Sequence, residues 1–538
     1  MSIFQKQAAA ILASLHPASV GQGSFFYLDL VELAASEILW IGFFFLIASL
    51  VMTYFKSSAL ERVFDRAVTF RTGYLVFFLC TVFFLLAVGT GDYTLERFAN
   101  SSDEYSYLFQ AGLMSKGRIW QVAHDLPDFF YQNNIVQNDG IQLSPFRPGW
   151  SMILSASFEL GIPPFLINPI LGLLALILFY LFARHLYGEK VAVWSLAGVA
   201  LTGFYIFNSA SFFPHVTNFL LTLLVVSSLH LHGESGRWGY AVLAGFLLGF
   251  LAITAHFTVF IILIPFAIYL VYQYRLKSLY IFLLMFFGAI PCVLFLLTYN
   301  YAITGDAFVS VEAWSYPART FGFVKGHNFW KGGEHLVRWT LLFFYWCSPG
   351  FLILYFVFLY RKFRSRAELF THAEDYLLAA LMLGYFFYYQ VGGNQYGPRF
   401  LFEGFPFLVL FVTRKVLQSR EKWATAFLIA SLVFAVVKFP FISYRENRIV
   451  DERQDLYNLV KQEHLSNAVV FVTSPTSPTR PMPVDDLTRN DPKFENDVIY
   501  ALELPKISSE LMTYYSDRSF YRYVRNLNEP HGELTRIR

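Results

Sequence analysis

Apolar residues gather along this chain into runs separated by short polar connections. The runs fall near residues 37–55, 73–90, 163–183, 190–208, 214–232, 238–256, 257–274, 278–299, 336–360, 375–391, 399–414 and 423–441. Each approaches the roughly 20 mostly apolar residues that a helix needs to cross a bilayer. The pattern predicts about twelve transmembrane helices, with no internal repeat of 20–50 residues that would mark a solenoid or a duplicated transporter. Charge supports the count. Lys56, Arg62, Arg66 and Arg71 lie in the first connection. Arg184 and Lys190, then Arg237, Arg275 and Lys277, then Arg361, Lys362, Arg364 and Arg366, and finally Arg414, Lys415, Arg420 and Lys422 lie beside later ones. The positive-inside rule puts these connections in the cytoplasm and the long loops 91–162 and 300–335 outside it.

The pattern changes at both ends. Residues 1–36 read as an exoplasmic or interfacial segment before a transmembrane region over 37–442, with no cleavable signal peptide evident. Residues 443–538 read as a small soluble exoplasmic domain. In it Glu452 to Leu465 has helical spacing through Leu456, Leu459, Val460 and Leu465. Ala468 to Val472 and Val498 to Leu502 read as strands around the Pro-rich stretch 474–483. Tyr514, Tyr515, Phe520, Tyr521 and Tyr523 supply either a small aromatic core or a surface for sugars. The fold class expected is therefore an all-α polytopic membrane protein with a small α+β exoplasmic C-terminal domain.

Composition agrees. Of 538 residues, 56% are hydrophobic and 15% charged, well below the roughly 25% charge of soluble domains. A net charge of +3 points to basic loops beside a bilayer and gives no sign of a nucleic-acid partner. Cys80, Cys292 and Cys347 lie in or beside apolar runs, with the spacing of neither a disulfide framework nor a zinc site.

Candidate chemistry concentrates at the outer ends of the spans. Ser101-Ser102-Asp103-Glu104 opens an amphipathic segment in the first long loop, in which Tyr105, Leu108, Phe109, Gly112 and Leu113 share one face. A serine caps such a helix and acids suit its first turn, so the bland reading of Asp103 and Glu104 is helix-end decoration. Arg147 follows in the same loop, with a further short helix expected over Trp150 to Leu160. His215 stands at a helix start, His256 at a tight turn, and Tyr396 and Arg399 at the beginning of a late span. Asp306, Glu312, Arg319, Lys325, His327 and Lys331 lie along loop 300–335. Ionisable groups beside apolar segments are costly and tend to mark a site. Gathered on one side, they predict an acid-and-base pocket at the outer membrane surface.

An Asp-Glu pair on a juxtamembrane helix of the first exoplasmic loop resembles the GT-C membrane glycosyltransferases, in particular bacterial family 39-like members related to protein O-mannosyltransferases and lipid A aminoarabinose transferases. Arg147-Pro148-Gly149 is similar to the basic-Pro-Pro step of that family, with Gly149 replacing the second proline. Tyr396-Gly397-Pro398-Arg399-Phe400 resembles the Tyr-Gly-Pro-Arg-Tyr start of a late span. The likeness covers residues from about 73 to 441. It implies a sugar donor carried on a polyprenyl phosphate, an acceptor hydroxyl on a glycan, lipid or protein, and a bacterial inner membrane with the active site on its periplasmic side. On this reading Asp103 is the general base of an inverting transfer, and Glu104 orients the acceptor or a metal. Arg147 and Arg399 take the phosphate, the alternative for each being an interfacial anchor. His215, His256, His327, Tyr396 and Asp306 complete the candidate substrate contacts. A divalent metal cofactor is left open, since some relatives bind one and no ligand set stands out. The competing readings are a flippase for lipid-linked sugars, a ligase or polymerase drawing on a lipid diphosphate, and a non-catalytic scaffold.

Overall fold

A computed structural model describes residues 22–55, 59, 62, 72–255, 257–316, 321–324, 326–366, 369–390, 392, 395–473, 487–504, 507–525 and 531–538. His256, Arg319, Lys325 and the stretch 474–483 lie outside them. Helices dominate. They are α1 (Gln22–Tyr54), α2 (Thr72–Gly89), α3 (Ser102–Met114), α4 (Pro148–Glu159), α5 (Ile167–Tyr187), α6 (Glu189–Ala200), α7 (Gly203–Ala210), α8 (His215–Ser235) and α9 (Trp238–Thr254). Then come α10 (Thr258–Tyr274), α11 (Ser278–Thr304), the single turn α12 (Val311–Ser315), α13 (Phe329–Trp346), α14 (Pro349–Ser365), α15 (Leu377–Phe386), α16 (Phe405–Ser419), α17 (Lys422–Gln462) and α18 (Ser508–Tyr514).

Six helical runs among the described residues are long and apolar enough to cross a membrane, or seven if the bent pair α6 and α7 is one span. The remaining expected spans fall on shorter or more polar helices. Three differ in kind from the sequence reading. The run 190–208 bends by 62° between α6 and α7. The run 336–360 is broken at Cys347 and Ser348, where Ser348 caps α14 through its side chain and Pro349 takes the first helical position, a place where its missing N–H costs nothing. The last run and the amphipathic segment after it are one continuous helix, α17, of 41 residues.

Close packing in the bundle depends on small residues. A Cβ at Gly245 of α9 would strike the backbone of Met285 on α11, so the glycine lets two helix backbones touch, as small residues do where lipid supplies no hydrophobic drive. On another side α1 packs against α17 through Phe44, Ala48, Ala430 and Phe434. A fully buried ion pair, Glu37 with Lys438, joins the same two helices, and the Lys438 ammonium also sits 4.2 Å from the ring centre of Tyr345.

Above the bundle, the first long loop carries α3, α4 and a three-stranded antiparallel sheet of β1 (Gln121–Val122), β2 (Val136–Asn138) and β3 (Ile141–Leu143), ordered β1-β3-β2. The C-terminal residues form a second sheet from β4 (Ala468–Thr473), β5 (Val498–Leu502), β6 (Ser519–Val524) and β7 (Glu533–Arg536), ordered β5-β4-β6-β7, with β4 parallel to both neighbours. Both faces of β4 are covered. Ala468, Val470 and Val472 meet Leu456 and Val460 of α17, while Val469 and Phe471 meet Leu511 of α18 and Phe129 and Phe130 of the first loop. A central parallel strand buried on two faces reads as an unbroken apolar run, which is why residues 468–472 do not alternate.

Candidate functional site

The first loop is held by the C-terminal sheet and by the segment that crosses to it. Tyr105 on α3 donates its hydroxyl to the Asn490 carbonyl at 2.7 Å, and Arg489 donates to the Ala99 carbonyl at 2.7 Å. Gln142 of β3 donates to the Pro492 carbonyl at 2.9 Å. These contacts pin the start of α3, the helix that carries the acidic pair.

That start is built locally. Ser101 has extended backbone and accepts the Glu104 N–H at 3.2 Å, while its own hydroxyl donates to the Glu104 carboxylate at 3.0 Å. The other Glu104 oxygen accepts the Phe212 N–H at 3.0 Å. Burial raises the Glu104 carboxyl to about 7 against the opposing pull of these hydrogen bonds. Trp150 donates to the Phe212 carbonyl at 2.7 Å, and Asn168 donates to the carbonyls of Ser211 and Phe213. Three buried side chains from three elements thus clamp the backbone of 211–213, just before Pro214 and His215.

Neighbouring residues on a helix point about 100° apart, and Asp103 turns the other way. It lines a cavity of about 580 Å³ whose walls also include Tyr107, Asn134, Arg147, His215, Glu312 and Arg399. Asn134 donates to one Asp103 oxygen at 2.7 Å. The Arg399 guanidinium faces the other at 3.5 Å and lies over the Phe213 ring at 3.8 Å from its centre. Arg399 is only 6% exposed. Its Nε and Nη1 have no hydrogen-bond partner among the described residues, an arrangement that costs free energy unless something else occupies those donors. His215 turns Nδ1 toward Glu403 at 3.4 Å.

Arg147 stands at the N-terminus of α4 and donates to the Ala252 carbonyl at 3.3 Å. Burial pulls its pKa down while the charge of Glu312 opposes the fall. Gly149, the departure from the basic-Pro-Pro pattern, sits where a Cβ would strike the Ile253 carbonyl and the Thr254 methyl. The α4 helix therefore lies directly on the end of α9.

Of the residues singled out in the sequence, Asp103, Arg147, His215, Glu312 and Arg399 meet around this cavity. Glu104 does not line it. Tyr396 is fully buried, stacked on Phe207, with its carbonyl accepting from Asn208. His327 is buried against the Phe386 carbonyl and the ring of His335. Asp306 lies in an exposed turn, accepting the Phe308 N–H. Residues brought in by the fold and not singled out are Asn134 and Arg453 of the lining, the latter from α17, and Glu403, which stands behind His215. None of the three had a local signal: Glu403 stands four residues after Arg399, but Arg399–Gly404 is a 3₁₀ helix, in which residues three apart share a face. No group of three or more His, Cys, Asp or Glu side chains among the described residues could hold a metal ion. Asp103 is instead met by an amide and a guanidinium. The side chains around it do not fit a metal centre.

Residues 468–532 match a family described as a domain of unknown function, DUF7846. No curated protein matches the chain. Among solved structures, ArnT from Cupriavidus metallidurans bound to undecaprenyl phosphate is similar over 87% of this chain and 98% of its own, with a TM-score of 0.53 at 10% identity. Its apo form covers 84% and 93%, with a TM-score of 0.52 at 11% identity. The oligosaccharyltransferase of Archaeoglobus fulgidus in complex with Zn and sulfate covers 73% of this chain and 60% of its own, with a TM-score of 0.45 at 11% identity. The chain is a multi-pass membrane protein with the GT-C fold. Within that fold its overall architecture is similar to that of ArnT over 87% of the chain.

Proposed function

We propose that this protein is a glycosyltransferase that moves a monosaccharide from a polyprenyl phosphate to an acceptor hydroxyl, at the membrane face opposite the basic loops. One observation carries the reading. A buried Arg399 guanidinium, its Nε and Nη1 without a hydrogen-bond partner among the described residues, faces Asp103 across the wall of a cavity, in a fold similar to that of a protein crystallised with undecaprenyl phosphate. A guanidinium fork suits a phosphate. A carboxylate that opens into the cavity between a cation and an amide donor is placed to accept a proton from a bound hydroxyl.

In the proposed reaction the acceptor oxygen attacks the anomeric carbon while Asp103 takes its proton. The bond from that carbon to the phosphate oxygen breaks on the opposite face, and a single displacement inverts the configuration. Arg399 and Arg147 carry the charge that develops on the departing lipid phosphate. Glu104 serves the site by holding the backbone of Phe212, and no step passes through a metal.

The test is transfer by the purified protein in lipid nanodiscs, offered a panel of undecaprenyl-phosphate monosaccharides and scored by release of undecaprenyl phosphate. The wild type releases it and Asp103→Asn loses about 10²–10⁴-fold in rate, the range general-base removal produces. Near-normal turnover by Asp103→Asn removes the base assignment. Movement of intact donor across the bilayer without release favours the flippase instead.

A further inference from the structure

Glu403 has no role in the mechanism above, yet it is a buried acid, 1% exposed, set behind His215. One of its oxygens faces His215 Nδ1 at 3.4 Å, and the other has no hydrogen-bond partner among the described residues. His215 itself lines the cavity. The two ring nitrogens lie on opposite sides of the imidazole, so a ring that turns Nδ1 back to the acid presents Nε2 outward. Phe213 ties this imidazole to the phosphate candidate: its ring centre lies 5.9 Å from that of His215 and 3.8 Å from the Arg399 guanidinium. The backbone of 211–213 is clamped by Glu104, Trp150 and Asn168, so the histidine that follows it starts from a fixed point.

We infer that His215 and Glu403 form a proton-donating dyad for the departing phosphate, with His215 as the catalytic acid and Glu403 as the residue that positions and charges it. The inference rests on the function proposed above. As the acceptor oxygen bonds to the anomeric carbon, the bond to the phosphate oxygen breaks and its electron pair stays on that oxygen. His215 delivers its Nε2 proton there, so the lipid phosphate leaves as a monoanion. The acceptor's own proton rests on Asp103, and solvent recharges the imidazole. A buried carboxylate behind a histidine fixes the tautomer and favours the imidazolium. The other charged groups lining the cavity are Asp103 and Glu312, which favour the imidazolium, and Arg147, Arg399 and Arg453, which oppose it. Of these carboxylates and Glu403, it is Glu403 that lies within hydrogen-bonding range of the ring.

The experiment measures affinity for undecaprenyl phosphate by the full-length protein in nanodiscs between pH 5 and 8.5. The phosphate's own second ionisation, near 6, is common to every variant. Wild-type affinity falls as pH rises and the imidazolium is lost. Glu403→Gln moves the midpoint of that fall down by about one pH unit, as expected for losing an opposite charge within hydrogen-bonding range. Glu403→Asp restores most of it, His215→Gln removes the histidine-dependent part, and Glu403→Gln changes nothing further once His215 is Gln. Arg399→Ala weakens binding at every pH. Superimposable profiles for wild type and Glu403→Gln overturn the dyad. Should Glu403→Gln fail to fold, an unchanged profile in His215→Gln overturns it equally. A wild type that binds no undecaprenyl phosphate at any pH overturns the underlying function instead.

Discussion

Asp103 and Glu104 are adjacent in the chain and opposite in environment. Asp103 opens into the cavity, whereas Glu104 is wholly buried, bonded to Ser101 and the Phe212 amide. The buried acid makes a pH signature of its own. Its carboxyl is raised to about 7 from 4.5, so the folded protein holds a proton there that the unfolded chain releases near 4.5. The contribution is full below about pH 4.5 and is lost as pH climbs through 7, a change on the order of 3 kcal/mol across that window. Glu104→Gln keeps a neutral group that can accept from Phe212 and donate to Ser101. The expected outcome is a melting temperature for Glu104→Gln that gains on the wild type from about pH 5 to 7 in detergent and levels off above that. A constant difference means that Glu104 stays ionised throughout.

Helix α17 shows what continuity across a bilayer boundary does. The same 41 residues carry Lys438, which pairs with Glu37 deep against α1, then Arg453 at the cavity, then Leu456 and Val460 under the C-terminal sheet. Removing one partner of a buried pair strands the other charge and costs roughly 3–5 kcal/mol, while replacing both with apolar residues costs far less. Lys438→Met is therefore expected to lower the melting temperature sharply, and Glu37→Met combined with Lys438→Met to recover most of the loss. Additive losses in thermal denaturation would show that the two side chains do not act as a pair.

The C-terminal sheet and the first loop are one packed body. Phe129 and Phe130 are 1% and 3% exposed, and what covers them is β4, β5, β6 and α18. Deleting a buried phenylalanine costs about 3–5 kcal/mol. Phe129→Ala is expected to loosen the loop from the sheet and to speed protease cleavage within residues 121–146 before any membrane helix is cut. Unchanged cleavage there would mean that the loop is held by the bundle alone. The geometry of α3, and with it the direction of Asp103, depends on this contact through Tyr105, Arg489 and Gln142.

What was legible without coordinates is what short-range chemistry dictates. Apolar runs announce helices in lipid because an unpaired backbone cannot sit there. The serine before Asp103-Glu104 announces a capped helix, and the runs at 468–472 and 498–502 announce strands. Each follows from residues within a few positions of one another. The GT-C resemblance rested on such local words as well, and the fold agrees with it. Which acid faces the cavity was not legible, because a one-residue step on a helix turns a side chain by about 100° and only the neighbours decide which direction is buried. The break at Cys347 was written locally, in Ser348-Pro349-Gly350, and counting apolar residues over 336–360 passed over it. The meeting of Arg399 with Phe213, and of Glu403 with His215, joins positions nearly 190 residues apart. Their contact energy exists only once the helices have packed, so no local pattern of residues encodes it.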